Sequence, residues 1–214
     1  EHDEAREMFE RALAIIEASQ GPSAVQIGPV LGNLALVQLA RKQLPEAEAS
    51  LLRSLALAEQ AHGPDHPALI SMLTNLAHVA RERGDHAAAL RYAERALAVA
   101  DRASTPDGEM RAMPLLAKGL VELDLGHDAV AAELASMALR QLEAAGAPAQ
   151  RTVPARLLWG RALVALEPPR IAEALRILEE ARASLEPLTD VEAARLRGEV
   201  EGMIAELRRR DPPR

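Results

Sequence analysis

Residues 63–83 read GPDHPALISMLTNLAHVARER, and residues 21–41 read GPSAVQIGPVLGNLALVQLAR, the same stretch displaced by 42 positions. In register, Gly21 and Pro22 fall on Gly63 and Pro64. Leu31, Asn33, Leu34, Ala35, Val37 and Arg41 fall on Leu73, Asn75, Leu76, Ala77, Val79 and Arg83. The repeat continues outward on both sides. Glu4, Ala5, Arg11, Leu13, Ala14 and Glu17 recur at Glu46, Ala47, Arg53, Leu55, Ala56 and Glu59. Gly84, Ala87, Ala89, Ala93, Ala96 and Leu97 recur at Gly126, Ala129, Ala131, Ala135, Ala138 and Leu139. Ala-rich helices match one another at some shifts by composition alone, but Gly-Pro and Asn-Leu-Ala in register are positional. A period of this length means stacked supersecondary units, each too small to bury its apolar face alone.

Each unit reads as two antiparallel helices. Apolar residues recur at spacings of three and four, as in Leu51, Leu55 and Ala58, or Leu175, Leu178 and Ala181. Asp65 is expected to cap the helix whose first turn holds Pro67, with Ser23 one period earlier and Ser104 or Thr105, before Pro106, one period later. Gly63, Gly84 and Gly126 stand where helices end, suited to the left-handed residue of a C-terminal cap. The pattern predicts helices over 2–19, 24–41, 45–61, 66–83, 86–101, 107–125, 128–145, 150–166, 170–185 and 190–210. Pro29, Pro114 and Pro154 are expected to kink or delay their helices where they fall beyond the first turn. Close approach of paired helices needs small residues, supplied by Ala12, Ser54, Ala96, Ala138 and Ala181. Phe9, Leu51, Ala93, Ala135 and Leu178 are their neighbours.

Composition agrees and narrows the function classes. The 214 residues include 44 Ala and 33 Leu but a single Phe, Tyr and Trp, at Phe9, Tyr92 and Trp159. Helix formers dominate and strand formers are sparse, which excludes a sheet-centred fold. Without Cys there are no disulfides, thiolate ligands or cysteine nucleophiles. A formal net charge of −7 and three aromatics argue against a nucleic-acid surface. The opening EHDEAREMFE has neither a basic start nor an apolar core, so it is no signal peptide. The chain does not open on Met, which points to a piece of a longer protein. Residues 20–40 carry no charge, but Pro22, Gln26, Pro29, Asn33 and Gln38 are poor material for a lipid-facing helix. The cytoplasm is the expected compartment, and no membrane role is expected.

The small-large-small spacing of the second helices and the Leu-Asn-Leu-Ala signature of the first resemble tetratricopeptide repeats. The 42-residue period with its GPDHP linker resembles the kinesin-light-chain-type subclass, common in bacterial multidomain proteins. The resemblance implies an all-α, right-handed superhelical solenoid of antiparallel helix pairs, about ten helices in one domain over 1–214. Residues 1–22 form a leading half repeat, 23–64, 65–106, 107–147 and 148–187 full repeats, and 188–214 a closing helix and tail. The register slips by two residues at Glu167-Pro168-Pro169-Arg170, before Trp159-Gly160's partner helix. Thr189-Asp190-Val191-Glu192 opens the last helix as a capping box, and Arg208, Arg209 and Arg210 sit at its negative end.

No nucleophile, base and oxyanion donor assemble, and there is no phosphate loop, HExxH or GxSxG. His62 and His66 are split by Gly63-Pro64, and Asp124, His127 and Asp128 sit at a turn; both groups read as turn chemistry. No enzyme activity, cofactor or metal is expected. The resemblance instead implies a partner-binding concave layer made by the first helix of each repeat. It names Gly32, Asn33, Leu36 and Leu39, then Ser71, Thr74, Asn75, His78 and Arg81, then Leu116, Leu120 and Asp124, then Leu157 and Arg161. The binding set is Asn33, Leu36, Leu39, Thr74, Asn75, His78, Arg81, Leu120 and Arg161. In such grooves an Asn at the site of Asn33 and Asn75 bonds the backbone of an extended peptide, since its amide both donates and accepts. The basic two-carboxylate clamp of chaperone-binding relatives is not reproduced. Three functions follow: a module for an extended peptide or partner domain; the sensor or docking region of a larger bacterial signalling protein such as a serine/threonine kinase; or a spacer that self-associates through the uncapped half repeat and the Val25–Leu39 surface.

Overall fold

The computed structural model describes residues 2–24, 26–103 and 108–210, and all secondary structure among them is helical. The helices are α1 (His2–Gln20), α2 (Ile27–Ala40), α3 (Leu44–His62), α4 (Leu69–Glu82), α5 (His86–Arg102), α6 (Gly108–Asp124), α7 (Asp128–Ala144), α8 (Ala149–Ala165), α9 (Ile171–Leu185) and α10 (Val191–Arg210). Every helix expected from the periodicity is present. Val25 and the expected start at Ser104, Thr105 and Pro106 lie outside the described residues.

The helices gather into two compact units, Glu1–Pro106 and Asp107–Arg214, divided at the boundary between the second and third full repeats. In the first unit α2 pairs with α3 and α4 with α5, while α1 packs on α2 and α3 on α4. Its core holds Ile27, Leu51, Leu69, Leu73 and Leu76, all nearly inaccessible. In the second unit α6 pairs with α7 and α8 with α9, and α7 packs on α8. α10 lies across α9 and α8, closing a core of Leu163, Ile177, Leu178, Leu185 and Leu196. Small residues at the crossings are what let each pair close: Ser54, Ala96, Ala138 and Ala181 have no exposed surface.

The turns within the first three full repeats share one geometry. The N–H of Gly84 donates to Arg81 O at 2.9 Å and that of Asp85 to Ala80 O at 2.9 Å. Gly126 and His127 repeat both bonds to Leu123 and Glu122. This is a Schellman closure, which needs a left-handed residue. One period earlier the same bonds form at Lys42, to Leu39, and Gln43, to Gln38, with Lys42 held at φ 59°. That strain costs a non-glycine residue about 1–2 kcal/mol.

Two expected caps do not form. α2 and α4 begin at Ile27 and Leu69, three residues later than the spacing suggested, because looser three-residue bonds precede them. Leu69 N–H donates to His66 O and Ile70 N–H to Pro67 O. Asp65 is therefore too early to reach the open amides and pairs instead with Arg102 at 2.7 Å. His66 Nδ1 takes the Ala68 N–H at 3.2 Å. Ser23 is displaced from the start of α2 in the same way. Asp85 and Asp190 do cap, accepting from the Ala88 and Ala193 amides at 2.9 Å. Pro114 and Pro154 lie inside α6 and α8, so each helix runs on past a missing N–H.

Candidate partner-binding face

The first helices of the first unit, α2 and α4, each turn one stripe away from the core. On α2 it runs Pro29, Asn33, Leu36, Ala40, all exposed. On α4 the residues 42 later are Ser71, Asn75, His78 and Glu82, exposed or half-buried. The steps of four, three and four keep each stripe on one side of its helix. Leu34 and Leu36 show the division: Leu34 is 4 % exposed and Leu36 47 %. Leu39 and Arg81, also 42 apart, flank the stripes half-buried.

Thr74 does not belong to this face. It is 3 % exposed, and its hydroxyl donates to Ile70 O at 2.7 Å. Its place in the register points into the hairpin, where Leu116 and Leu157 are also buried. Those two likewise leave the inward-facing set.

A charged cluster ties the C-terminal ends of α2 and α4 together. Lys42 Nζ lies 2.6 Å from Glu82 Oε2, and Arg81 lies 3.8 Å from Glu82 Oε1. The hydrogen bond from Lys42 holds the Glu82 carboxyl below its usual range, helped by the charges of Lys42, Arg81 and His78. His78 is held below its ordinary pKa, first by burial and then by the Arg81 charge, with Glu82 opposing. Neutral His78 can donate from one ring nitrogen and accept at the other. Lys42 and Glu82 were not among the residues singled out from sequence. The available signal was Lys42 standing in register with Gly84 and Gly126, where a glycine would be easier.

The second unit is different at the same register. Where Asn33 and Asn75 stand, it has Ala117 and Leu158, 1 % and 2 % exposed. Leu120 is half-buried and Arg161 exposed. Arg161 shares a shallow groove between α8 and α10 with Val164, Gly198, Gly202 and Met203. The polar handles thus belong to α2 and α4, and the structure divides the expected binding residues between the two units.

Elsewhere the chemistry is that of turns. The rings of His62 and His66 stack with centroids 4.6 Å apart, and His127 Nδ1 lies 2.7 Å from Glu122. Among the described residues no three His, Asp or Glu side chains are placed to hold a metal ion. No described helix is long and apolar enough to cross a membrane.

A family model for the tetratricopeptide repeat matches residues 1–60, 26–102 and 70–144. The chain belongs to the tetratricopeptide repeat family. Tetratricopeptide repeats are protein–protein interaction modules, and the fold is that of a scaffold rather than of a typical enzyme. Among solved structures, the chain is similar in fold to BtubC (BKLC) from P. vanneervenii, with a TM-score of 0.69 at 16% sequence identity. That match covers 97% of this chain and 88% of that one. No curated protein matches the chain. The third matched segment ends in α7, so the tetratricopeptide signature fades where α8 and α9 depart from the 42-residue register.

Proposed function

We propose that this tetratricopeptide module binds an extended peptide segment of a protein partner across the α2–α4 face of the first unit. The observation that carries the reading is the pair of Asn residues, Asn33 and Asn75, on matching open stripes with nothing in the core requiring them. A peptide losing water from its backbone needs partners that both donate and accept, which a side-chain amide supplies regardless of peptide sequence. Leu36 adds an apolar contact beside Asn33, and His78 and Arg81 add a polar and basic one beside Asn75. The face suits a segment with apolar side chains and an acidic residue toward its α4 end. Such contacts commonly give affinities around the micromolar range, about −8 kcal/mol, once the cost of ordering the peptide is met.

A displayed library of random peptides panned on the 214-residue chain tests this. The expected result is an enriched family whose binding falls in the Asn33→Ala, Asn75→Ala double variant at unchanged thermal midpoint. Enrichment of the same peptides by both proteins would place binding on another surface.

A further inference from the structure

We propose that His78 reads an acidic side chain of the bound peptide by taking up a proton, so the α2–α4 face selects acidic segments and holds them more tightly as pH falls. The proposal rests on that face being the peptide site. The repeat itself does not call for a histidine here. In α2 and α6 the two places that His78 and Arg81 occupy in α4 are leucines, Leu36 and Leu39 in one and Leu120 and Leu123 in the other. Of the three helices, α4 alone carries an imidazole and a guanidinium there. His78 stands three residues after Asn75 and four before Glu82, which puts all three on one side of the helix.

The ring has no carboxylate of its own. Glu82, one turn further on, is already engaged: Lys42 Nζ lies 2.6 Å from one of its oxygens and Arg81 3.8 Å from the other. Among the described residues His78 makes no hydrogen bond. Within the first unit the charges acting on it are Arg81 and Glu82 of its own helix, and Lys42 reaches the same carboxylate from the turn between α2 and α3. Helices α3 and α5, which pack on other sides of α4, add none. Burial and the Arg81 charge hold the free ring below its ordinary pKa, so at neutral pH it is uncharged. Once protonated it needs an anion, which Glu82, held by Lys42, supplies only in part. A peptide carboxylate laid against the ring completes the pair with a charge-assisted hydrogen bond. The pKa of the ring then rises on binding, and the complex takes up a proton that the free protein lacks. By linkage, affinity climbs as pH falls through the pKa of the bound ring and levels off below that of the free ring. The carboxylates stay ionised meanwhile. The hydrogen bond from Lys42 holds Glu82 below its usual range, and an ordinary peptide carboxyl titrates at about 4.

The test pans the displayed random-peptide library on the 214-residue chain at about pH 5.5 and about pH 7.5. A synthetic peptide from the low-pH pool is then measured by calorimetry at both. The low-pH pool is expected to be richer in Asp and Glu. The synthetic peptide should bind at least about threefold more tightly at the lower pH, one proton allowing at most about tenfold per pH unit. That gain should vanish in His78→Gln, which separates this ring from the other histidines, and for a peptide whose acid is replaced by its amide. An NMR titration of the His78 ring in the wild-type chain, which needs no variant to fold, should show its pKa raised in the complex. A gain that survives His78→Gln, or a ring pKa unmoved by the peptide, overturns the proposal and leaves the peptide face standing. No enrichment at either pH, or enrichment that the Asn33→Ala, Asn75→Ala variant matches, removes the face and the proposal together.

Discussion

Leu34 and Leu36 sit two residues apart on α2 and should respond oppositely to truncation. Leu34 is 4 % exposed and Leu36 47 %. Removing the buried isopropyl end costs its transfer from water plus the cavity left behind, about 2–5 kcal/mol for Leu→Ala in a packed core. A unit of this size has about 5–15 kcal/mol in all, so Leu34→Ala should lower the urea midpoint of the first unit severely. Leu36 is half in water, its loss leaves no closed cavity, and Ala has the better helix propensity. Leu36→Ala should therefore stay within about 1 kcal/mol of wild type. Urea titrations followed by circular dichroism at 222 nm would compare the two. Leu36→Ala should also weaken the displayed peptides, which Leu34→Ala would affect only through unfolding. Equal destabilisation by the two changes would refute the assignment of the α2 stripe to solvent and with it the binding face.

Asn75→Ala should leave the thermal midpoint nearly unchanged while weakening peptide binding; if it unfolds the first unit instead, that side of α4 is structural. His78 has a folded pKa below its ordinary value of 6.5, so the unfolded chain takes up the proton first. Its contribution to stability is fully present above that pH and is lost as pH falls from there through the folded value. His78→Gln should flatten that part of the stability–pH curve; an unchanged slope would show that other groups carry it. Gly202→Ala should stabilise by about 0.5–1 kcal/mol, since a Cβ there meets nothing within 4 Å. Gly119→Ala should gain nothing, because its Cβ would lie 2.9 Å from Leu158 Cδ2 and overpacking costs about 1–3 kcal/mol. Thermal melts of the two variants that moved together would contradict this contrast.

The repeat was legible in sequence because helix pairs that stack identically need the same small and large residues at the same places. Ala35, Ala77 and Gly119 on the first helices, and Ala47, Ala89 and Ala131 on the second, are such places, and all are buried. Helix starts were less legible. A polar residue before a proline looks like a cap at Asp65, but which residue caps depends on whether the first turn closes with three- or four-residue bonds. The facing of side chains one step off a stripe was also beyond the pattern. Thr74 adjoins Asn75 in sequence, yet a helix turns 100° between them, and a hydroxyl that can bond back to Ile70 O is as content inside as out.

The central claim is that partners engage the α2–α4 side, and a photo-crosslinking amino acid placed at two exposed leucines tests it most directly. Leu36 lies on α2 and Leu52, 42 % exposed, on α3. With a peptide enriched on the wild-type chain, an adduct should form from position 36 and not from position 52. Crosslinking from position 52 alone would contradict the account and move the interaction to the layer of second helices.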